Sequence, residues 1–118
     1  HYNPKIIISG DFNDETRDES VQHLIANGMT DVSYEAKGSN GAKGTYKYMG
    51  QWSSIDHILI SEGMKPLFRR CIINDQPFLL EDDTKFNGKK PFRTYQGYKY
   101  LGGFSDHLPL VASFDIEY

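Results

Sequence analysis

Short runs of apolar residues, separated by turn-forming residues, set the pattern of this chain. Residues 5–9 are mostly β-branched and apolar, and they predict a buried strand. Residues 54–61 predict a second strand with apolar residues on both faces, and residues 67–73 predict a third. From 108 to 116 large or small apolar residues recur at every second position, which predicts a last strand with one buried face.

One helix is predicted after the first strand. Thr16 and Glu19 have the spacing of a capping box, and Gly28 is a natural end for the helix. The apolar face of this helix would consist of Val21, Leu24 and Ile25.

The remaining segments are shorter or less regular. Residues 31–34 and 45–48 have the composition of short strands. Residues 37–44 consist almost entirely of turn-forming types and predict an exposed loop. Residues 75–103 predict a long excursion that includes a hairpin. The whole pattern indicates an α/β (α+β) half-sandwich, in which a mixed, mainly antiparallel sheet carries one or two helices on one face.

Composition and charge narrow the function. A chain of 118 residues with 38% hydrophobic residues fits one small domain, and no apolar run approaches the roughly 18 residues of a membrane span. The formal net charge is −3, so the chain as a whole is not a basic nucleic-acid-binding domain. A nucleic-acid substrate would have to be held locally, with metal ions offsetting carboxylate charge. Cys71 is the single cysteine, which excludes an internal disulfide.

Three polar clusters lie at predicted strand ends. Asp11 and Asn13 follow the first strand, Asp56 lies near the start of its own strand, and Asp106 and His107 precede the last strand. If the first and last strands run antiparallel, all three clusters reach the same edge of the sheet. Carboxylates that bind a divalent cation or activate water, beside an imidazole that a second carboxylate orients, are the groups that metal-assisted phosphoester hydrolysis requires.

Each cluster also has a structural alternative. Residues 11–14 could be a turn with a helix cap, because Asp and Asn favour both. Asp56 could face water at a sheet edge, although a carboxylate in an apolar strand costs several kcal/mol unless it is paired. The occurrence of all three clusters in order favours the catalytic interpretation over these alternatives.

Three motifs resemble those of the endonuclease/exonuclease/phosphatase superfamily, which has the DNase I-like fold. Residues 9–13, Ser-Gly-Asp-Phe-Asn, resemble its Gly-Asp-Phe-Asn signature. Residues 54–59, Ser-Ile-Asp-His-Ile-Leu, are similar to its second motif. Residues 103–110, Gly-Phe-Ser-Asp-His-Leu-Pro-Leu, are similar to its terminal Ser-Asp-His motif.

The resemblance implies a role for each motif residue. Asp11 would position or activate the nucleophilic water, and Asn13 would hold the phosphate or this water by hydrogen bonds. His107 would contact the scissile phosphate with Asp56 as its partner, and Asp106 would be a metal ligand for Mg²⁺ or Mn²⁺. His57 follows Asp56 and points to the other face of the strand, so a structural role is expected for it.

The resemblance also implies that residues 1–118 correspond to the C-terminal half of a four-layer sandwich. Complete members carry a metal-binding Glu and usually an Asn in their first half, whereas only ten residues precede Asp11 here. The chain alone is therefore expected to be inactive or very feeble. The sheet face that would pack on the missing half should be exposed, so self-association is expected to be a risk.

Three functions stay open from the sequence. The favoured one is a nuclease-like phosphodiester hydrolase, and the second is hydrolysis of inositol phosphates or lipid head groups. The third is a binding module without catalysis. Residues 85–103 interleave basic and aromatic residues that could hold a phosphate and stack on a base, sugar or head group. The structural alternative is a hairpin with tyrosines packed inside and lysines outside.

Overall fold

The computed structural model describes residues 3–116, which form strands, one α-helix and two short 3-10 helices. The helix α1 spans Glu19–Ala26, and the 3-10 helices span Glu62–Leu67 and Pro77–Leu79. The strands are β1 (Ile7–Asp11), β2 (Thr30–Asp31), β3 (Tyr46–Tyr48), β4 (Gln51–Ser53), β5 (Asp56–Ile60), β6 (Phe68–Ile73), β7 (Leu80–Asp82), β8 (Lys89–Pro91), β9 (Tyr95–Gln96), β10 (Lys99–Tyr100) and β11 (Leu110–Phe114).

A three-stranded antiparallel sheet in the order β1-β5-β2 carries the first two motifs. Its central strand β5 buries Leu59 and Ile60 almost completely, as the apolar run at 54–61 predicts. The prediction that residues 5–9 are buried is wrong. Ile6 and Ile7 are 43% and 49% exposed, because β1 is an edge strand and no other described segment covers them.

The main apolar cluster lies beside the second sheet, in which β11 pairs antiparallel with β6. This cluster consists of Ala36, Ala42, Ile73, Leu80 and Leu108, with Trp52, Cys71, Leu79 and Leu110 packed against it. The alternation predicted for the last strand is visible only at Val111, because Ser113 is half-buried like its neighbours and Ile116 is exposed. Burial, together with the charge of Asp31, raises the pKa of the Cys71 thiol to about 11, so this cysteine stays protonated at neutral pH.

The helix is confirmed, but its predicted cap is wrong. Asp18 is the N-cap and makes no side-chain cap hydrogen bond. The hydroxyl of Thr16 donates instead to Asp31 Oδ2 at 2.8 Å, and this bond connects the segment before α1 to β2. Val21 is fully buried, as its place on the apolar face predicts.

The segment 37–44 is a mostly exposed loop, as its composition predicts, although Ala42 and Gly44 are buried. The carboxylate of Asp75 accepts backbone N–H groups from Ser39, Asn40 and Ala42 at 2.8–3.0 Å. Asp75 is itself buried, and its carboxylate lies where a Cβ on Gly38 would stand. A buried carboxylate thus replaces the missing secondary structure as the hydrogen-bond acceptor for this loop.

The excursion between the β6 and β11 strands contains two small hairpins, β7–β8 and β9–β10. The tyrosines of the second hairpin are exposed, so the alternative with tyrosines packed inside is wrong. Tyr95 and Tyr100 lie opposite each other on one face of this hairpin. Tyr98, in the turn, has no packing neighbours that reduce its exposure.

The fold class agrees with the sequence-based expectation. The chain is a mixed α and β structure with few helices, and the strand pairs of the described residues are antiparallel. None of the helices within residues 3–116 has the length and apolar character needed to cross a membrane.

Candidate active site

Strand pairing alone brings the first two motifs together. Asp11, the last residue of β1, lies directly opposite Asp56, the first residue of β5. The pairing continues one step further, because the N–H of Phe12 donates to Ile55 O at 2.9 Å. The antiparallel register therefore places two carboxylates side by side at one sheet edge.

The third motif reaches this edge through β3. Tyr46 and His107 form an isolated antiparallel bridge, and the N–H of Leu108 donates to Thr45 O at 2.8 Å. Ser105 Oγ accepts the N–H of His107 at 3.0 Å, which fixes the turn before it. The imidazole of His107 also packs on the Tyr46 ring, with centroids 5.1 Å apart.

His107 and Asp56 form a hydrogen-bonded pair. His107 Nδ1 donates to Asp56 Oδ2 at 2.8 Å, and the same oxygen accepts the Thr45 hydroxyl at 2.5 Å. Nε2 of His107 lies 3.9 Å from Asp11 Oδ2. The water-facing alternative for Asp56 is therefore wrong, because its carboxylate is half-buried and has two side-chain donors.

Asn13 lies in a tight turn beside this cluster. Its φ is +55°, a left-handed conformation that Asn adopts more readily than most residues. Its backbone N–H donates to Asp11 Oδ1 at 2.8 Å, so the two motif residues form an Asx turn. Asn13 is exposed, and its amide makes no hydrogen bond to another described residue.

Asp106 is exposed and stands apart from the other acidic site residues. Within residues 3–116 one group of three potential metal-ligating side chains converges, with ligand atoms within 4.8 Å of one another: Asp11, Asp56 and His107. Asp106 is next to His107 in sequence but is not a member of this group. Its proposed role as a metal ligand stays a prediction.

His57 has the structural role that strand alternation predicts. It is buried, and its Nδ1 lies 2.9 Å from Asp31 Oδ2 while its Nε2 lies 2.6 Å from the Asp14 carbonyl oxygen. Burial alone would lower the pKa of His57, but the hydrogen bonds to Asp31 and Asp14 outweigh it and raise the pKa. The pKa of Asp31 is lowered, because hydrogen bonds from His57, Ser33 and Thr16 overcome its burial.

The His57 pair supports the active-site turn. Since both ring nitrogens face acceptors, the imidazolium form satisfies both contacts. One of these acceptors, the Asp14 carbonyl, belongs to the segment that follows Asn13. A buried ion pair behind β5 therefore holds the turn that carries Asp11 and Asn13.

Two residues at the site were missed by sequence reasoning. Thr45 is 1% exposed and holds Asp56, and Tyr46 packs on His107. The segment 45–48 had only a strand-like composition, and Thr is a common strand residue. No local pattern distinguishes a threonine that donates to a carboxylate from one that packs in a sheet.

The cluster opens into a cavity of about 430 Å³. Asp11 is the carboxylate best placed to bind a divalent cation, because its side chain is about half exposed and Oδ2 has no N–H donor within hydrogen-bond distance. Asp56 Oδ2 is already occupied by His107 and Thr45. The oxygen donors fit Mg²⁺ or Mn²⁺ in type, and Asp11 would supply one of them within this group.

Comparisons with known proteins agree with this fold. A model of the endonuclease/exonuclease/phosphatase family matches residues 1–115. An endonuclease/exonuclease/phosphatase family protein from Bacteroides thetaiotaomicron has a similar structure, with a TM-score of 0.56 and 20% identity. The similarity covers 96% of this chain and 38% of that protein. Among curated proteins, no relative matches the chain.

The chain belongs to the endonuclease/exonuclease/phosphatase family. Members of this family are hydrolases of phosphoester bonds and generally depend on a divalent metal ion. The chain spans less than half the length of the structural relative that it matches.

Proposed function

We propose that this chain supplies catalytic residues to a metal-dependent phosphodiester hydrolase with a nuclease-like activity. The observation that carries the proposal is the convergence of Asp11, Asp56 and His107 at the edge where β1 and β5 pair. These residues come from three separate motifs, and each motif has the residue types that hydrolysis of a phosphodiester requires.

The hydrogen bonds of His107 support its role at the phosphate. Because Nδ1 donates to Asp56, the ring is held in one orientation with Nε2 toward the cavity and toward Asp11. An imidazolium held in this way can donate from Nε2 to a phosphoryl oxygen as negative charge develops there. Asp56 and Thr45 orient the ring and do not themselves contact the substrate.

Asp11 and Asn13 are proposed to act on the attacking water. Asp11 Oδ2 lies 3.9 Å from His107 Nε2, a gap that a bound water or phosphoryl oxygen could bridge. The carboxylate can accept a proton from this water, and the free amide of Asn13 can hold the water or the phosphate. A bound Mg²⁺ or Mn²⁺ would supply charge stabilisation for the phosphoryl oxygens, and Asp106 is the metal ligand that the family resemblance predicts.

We also propose that full activity requires ligands beyond residues 3–116, contributed by a first half of the domain. This is supported by the small number of converging metal-ligating groups and by the 38% coverage of the structural relative. Hydrolysis by the 118-residue chain alone at the rate of a longer protein would contradict this part of the proposal.

The test compares hydrolysis of a single-stranded oligonucleotide, an inositol phosphate and a choline phosphodiester by a version extended upstream. Turnover should require Mg²⁺ or Mn²⁺, stop with EDTA, and fall by at least about 100-fold in Asp11→Ala and His107→Ala. Unchanged turnover in both variants would exclude catalysis at this site.

The second candidate, hydrolysis of a small phosphoester, is favoured by the acidic overall charge and would be supported by turnover of the small substrates alone.

A further inference from the structure

The segment 84–105, named here the basic arm, has a charge opposite to that of the rest of the chain. It contains no acidic residue, and its five basic residues are Lys85, Lys89, Lys90, Arg93 and Lys99. The whole chain nevertheless carries a net charge of −3. The same segment contains six aromatic residues, so the charge and the aromatic rings are concentrated together.

The base of the basic arm is continuous with the active site. The N–H of Gly103 donates to Arg93 O at 3.0 Å, and the N–H of Phe104 donates to Phe92 O at 2.7 Å. The two segments approach so closely that a Cβ on Gly103 would meet Phe92 O at 2.2 Å. His107 follows Gly103 by four residues, so the chain runs directly from the base of the β9–β10 hairpin to the candidate catalytic residues.

A basic cavity is lined by residues of the basic arm together with residues 47–50. It has a volume of about 220 Å³ and is lined in part by Lys85, Lys90, Arg93 and Gln96. Lys47 and Asp83 also line it, but they form a buried ion pair at 2.9 Å that lowers the pKa of Asp83 and cancels their charges. The other charged residues of the lining are three cations, Lys85, Lys90 and Arg93, and one carboxylate, Glu81. The cavity therefore favours an anion.

Arg93 connects the basic cavity to the candidate catalytic residues. Its guanidinium lies over the Tyr46 ring, 5.4 Å from the centroid, and that ring packs on His107. Arg93 Nη2 also donates to Lys47 O at 3.0 Å, which fixes the position of the guanidinium. A polyanion with one phosphate at His107 would therefore find the next positive groups on the side of the basic arm.

The hairpin presents its rings to solvent. Tyr95 and Tyr100 are 57% and 67% exposed with centroids 5.5 Å apart, and Tyr98 is fully exposed at the turn. The turn between them is Gln96-Gly97-Tyr98-Lys99, which has no aliphatic side chain. A bilayer would need a continuous apolar patch there, whereas unpaired bases stack on isolated tyrosine rings beside cations.

We infer that the basic arm binds a single nucleic-acid strand, with its phosphates at the basic cavity and its bases against the tyrosines of the β9–β10 hairpin. Unstacked bases are required because exposed rings on a narrow hairpin cannot enter the base stack of an intact duplex without disrupting it. The assignment of this strand as a substrate rests on the proposed function, but its binding does not.

Binding is measured on the 118-residue chain by fluorescence anisotropy of a labelled oligothymidylate, with EDTA present to prevent hydrolysis. Tyr98→Ala should weaken binding by about 5-fold to 150-fold, the range for loss of one stacked base. Tyr98 makes no packing contact that reduces its exposure, so this variant should keep the fold. Tyr34→Ala is the matched control, because Tyr34 is 62% exposed outside the basic arm, and it should bind normally.

The cations are tested by the dependence of binding on salt. Lys90→Ala should reduce the slope of log K against log salt by about 0.7, the value for one phosphate contact with a single strand. Lys65→Ala, an exposed lysine on a 3-10 helix outside the basic arm, should leave the slope unchanged. An unchanged slope in Lys90→Ala would overturn the placement of a phosphate at the basic cavity.

Other outcomes separate this inference from the proposed function. The single-strand inference would be overturned by equal affinity of Tyr98→Ala and Tyr34→Ala for the oligonucleotide. It would also be overturned if the chain bound only phosphatidylserine vesicles or only inositol hexakisphosphate. If the upstream-extended protein then fails to hydrolyse any phosphoester while Tyr98-dependent binding persists, the proposed function fails and the binding surface stands.

Discussion

His107 Nδ1 and Asp56 Oδ2 lie 2.8 Å apart, and this contact joins two motifs separated by 51 residues. Asp56→Asn keeps the shape of the side chain but places a neutral amide beside the imidazole. We expect hydrolysis by the upstream-extended protein to fall by about 100-fold or more, as in other sites where a carboxylate orients a histidine. Initial rates over a pH series measure this, and a rate within twofold of the unchanged protein would contradict it.

Thr45 should act as a positioning residue through Asp56. Thr45→Val removes the donor to Asp56 Oδ2 at nearly constant volume, and we expect a loss of about 1–3 kcal/mol in the free energy of unfolding. Thr45→Ser keeps the hydroxyl and should restore the orientation of His107. The readout is the ¹⁵N spectrum of the His107 ring, in which Thr45→Val should differ from the unchanged chain and Thr45→Ser should not. Identical spectra for all three proteins would remove the positioning role.

The buried pair of Asp31 and His57 should make the free energy of unfolding depend on pH in both the acidic and the alkaline range. The folded-state pKa of His57 is raised, so its contribution is complete below the ordinary value of 6.5 and is lost as pH rises through the folded pKa. The folded-state pKa of Asp31 is lowered, so its contribution is present above the ordinary value of 3.8 and is lost as pH falls through the folded pKa.

Asp31→Asn tests this dependence, because it removes the charge and leaves the buried imidazole. We expect the free energy of unfolding in urea to fall by about 3–5 kcal/mol near pH 6, and its decline above about pH 6.5 to flatten. His23→Gln changes an exposed histidine on α1 and should leave the pH profile unchanged. A profile for Asp31→Asn parallel to that of the unchanged chain would contradict the stabilising role of the pair.

Asp75 should control the order of the 37–44 loop. Asp75→Ala leaves three backbone N–H groups without their acceptor, and we expect a loss of about 2–4 kcal/mol in the free energy of unfolding. Amide hydrogen exchange should accelerate most at Ser39, Asn40 and Ala42. Asp82→Ala removes an exposed carboxylate and serves as the control. Uniform acceleration over the whole chain would indicate global destabilisation in place of a local anchor.

The sequence predicted most of the larger elements because their patterns are local. The 54–61 run became β5, the 67–73 run became β6, and the alternating end became β11. The short strand β4 was missed, since three residues give no measurable period. The capping box failed because Thr16 found a partner outside the helix, in Asp31 on β2, which no local pattern includes.

Exposure was predicted less well than strand identity. An apolar run predicts burial only if another segment covers it, and β1 has no such cover within the described residues. In the same way, Tyr95, Tyr98 and Tyr100 have a composition that suits a hairpin core, yet their rings face solvent. Whether a side chain is covered depends on segments far away in the chain.

The sequence by itself determined the family, the strand-forming segments and the residue types at the candidate site, because motifs and periodicity are properties of neighbouring residues. The tertiary structure decided which of those residues meet. It paired Asp11 with Asp56 by strand register, supplied Thr45 as a donor, and placed His57 against Asp31 but His107 against Asp56. These relationships depend on contacts between residues distant in sequence, and such contacts are fixed only when the sheets assemble.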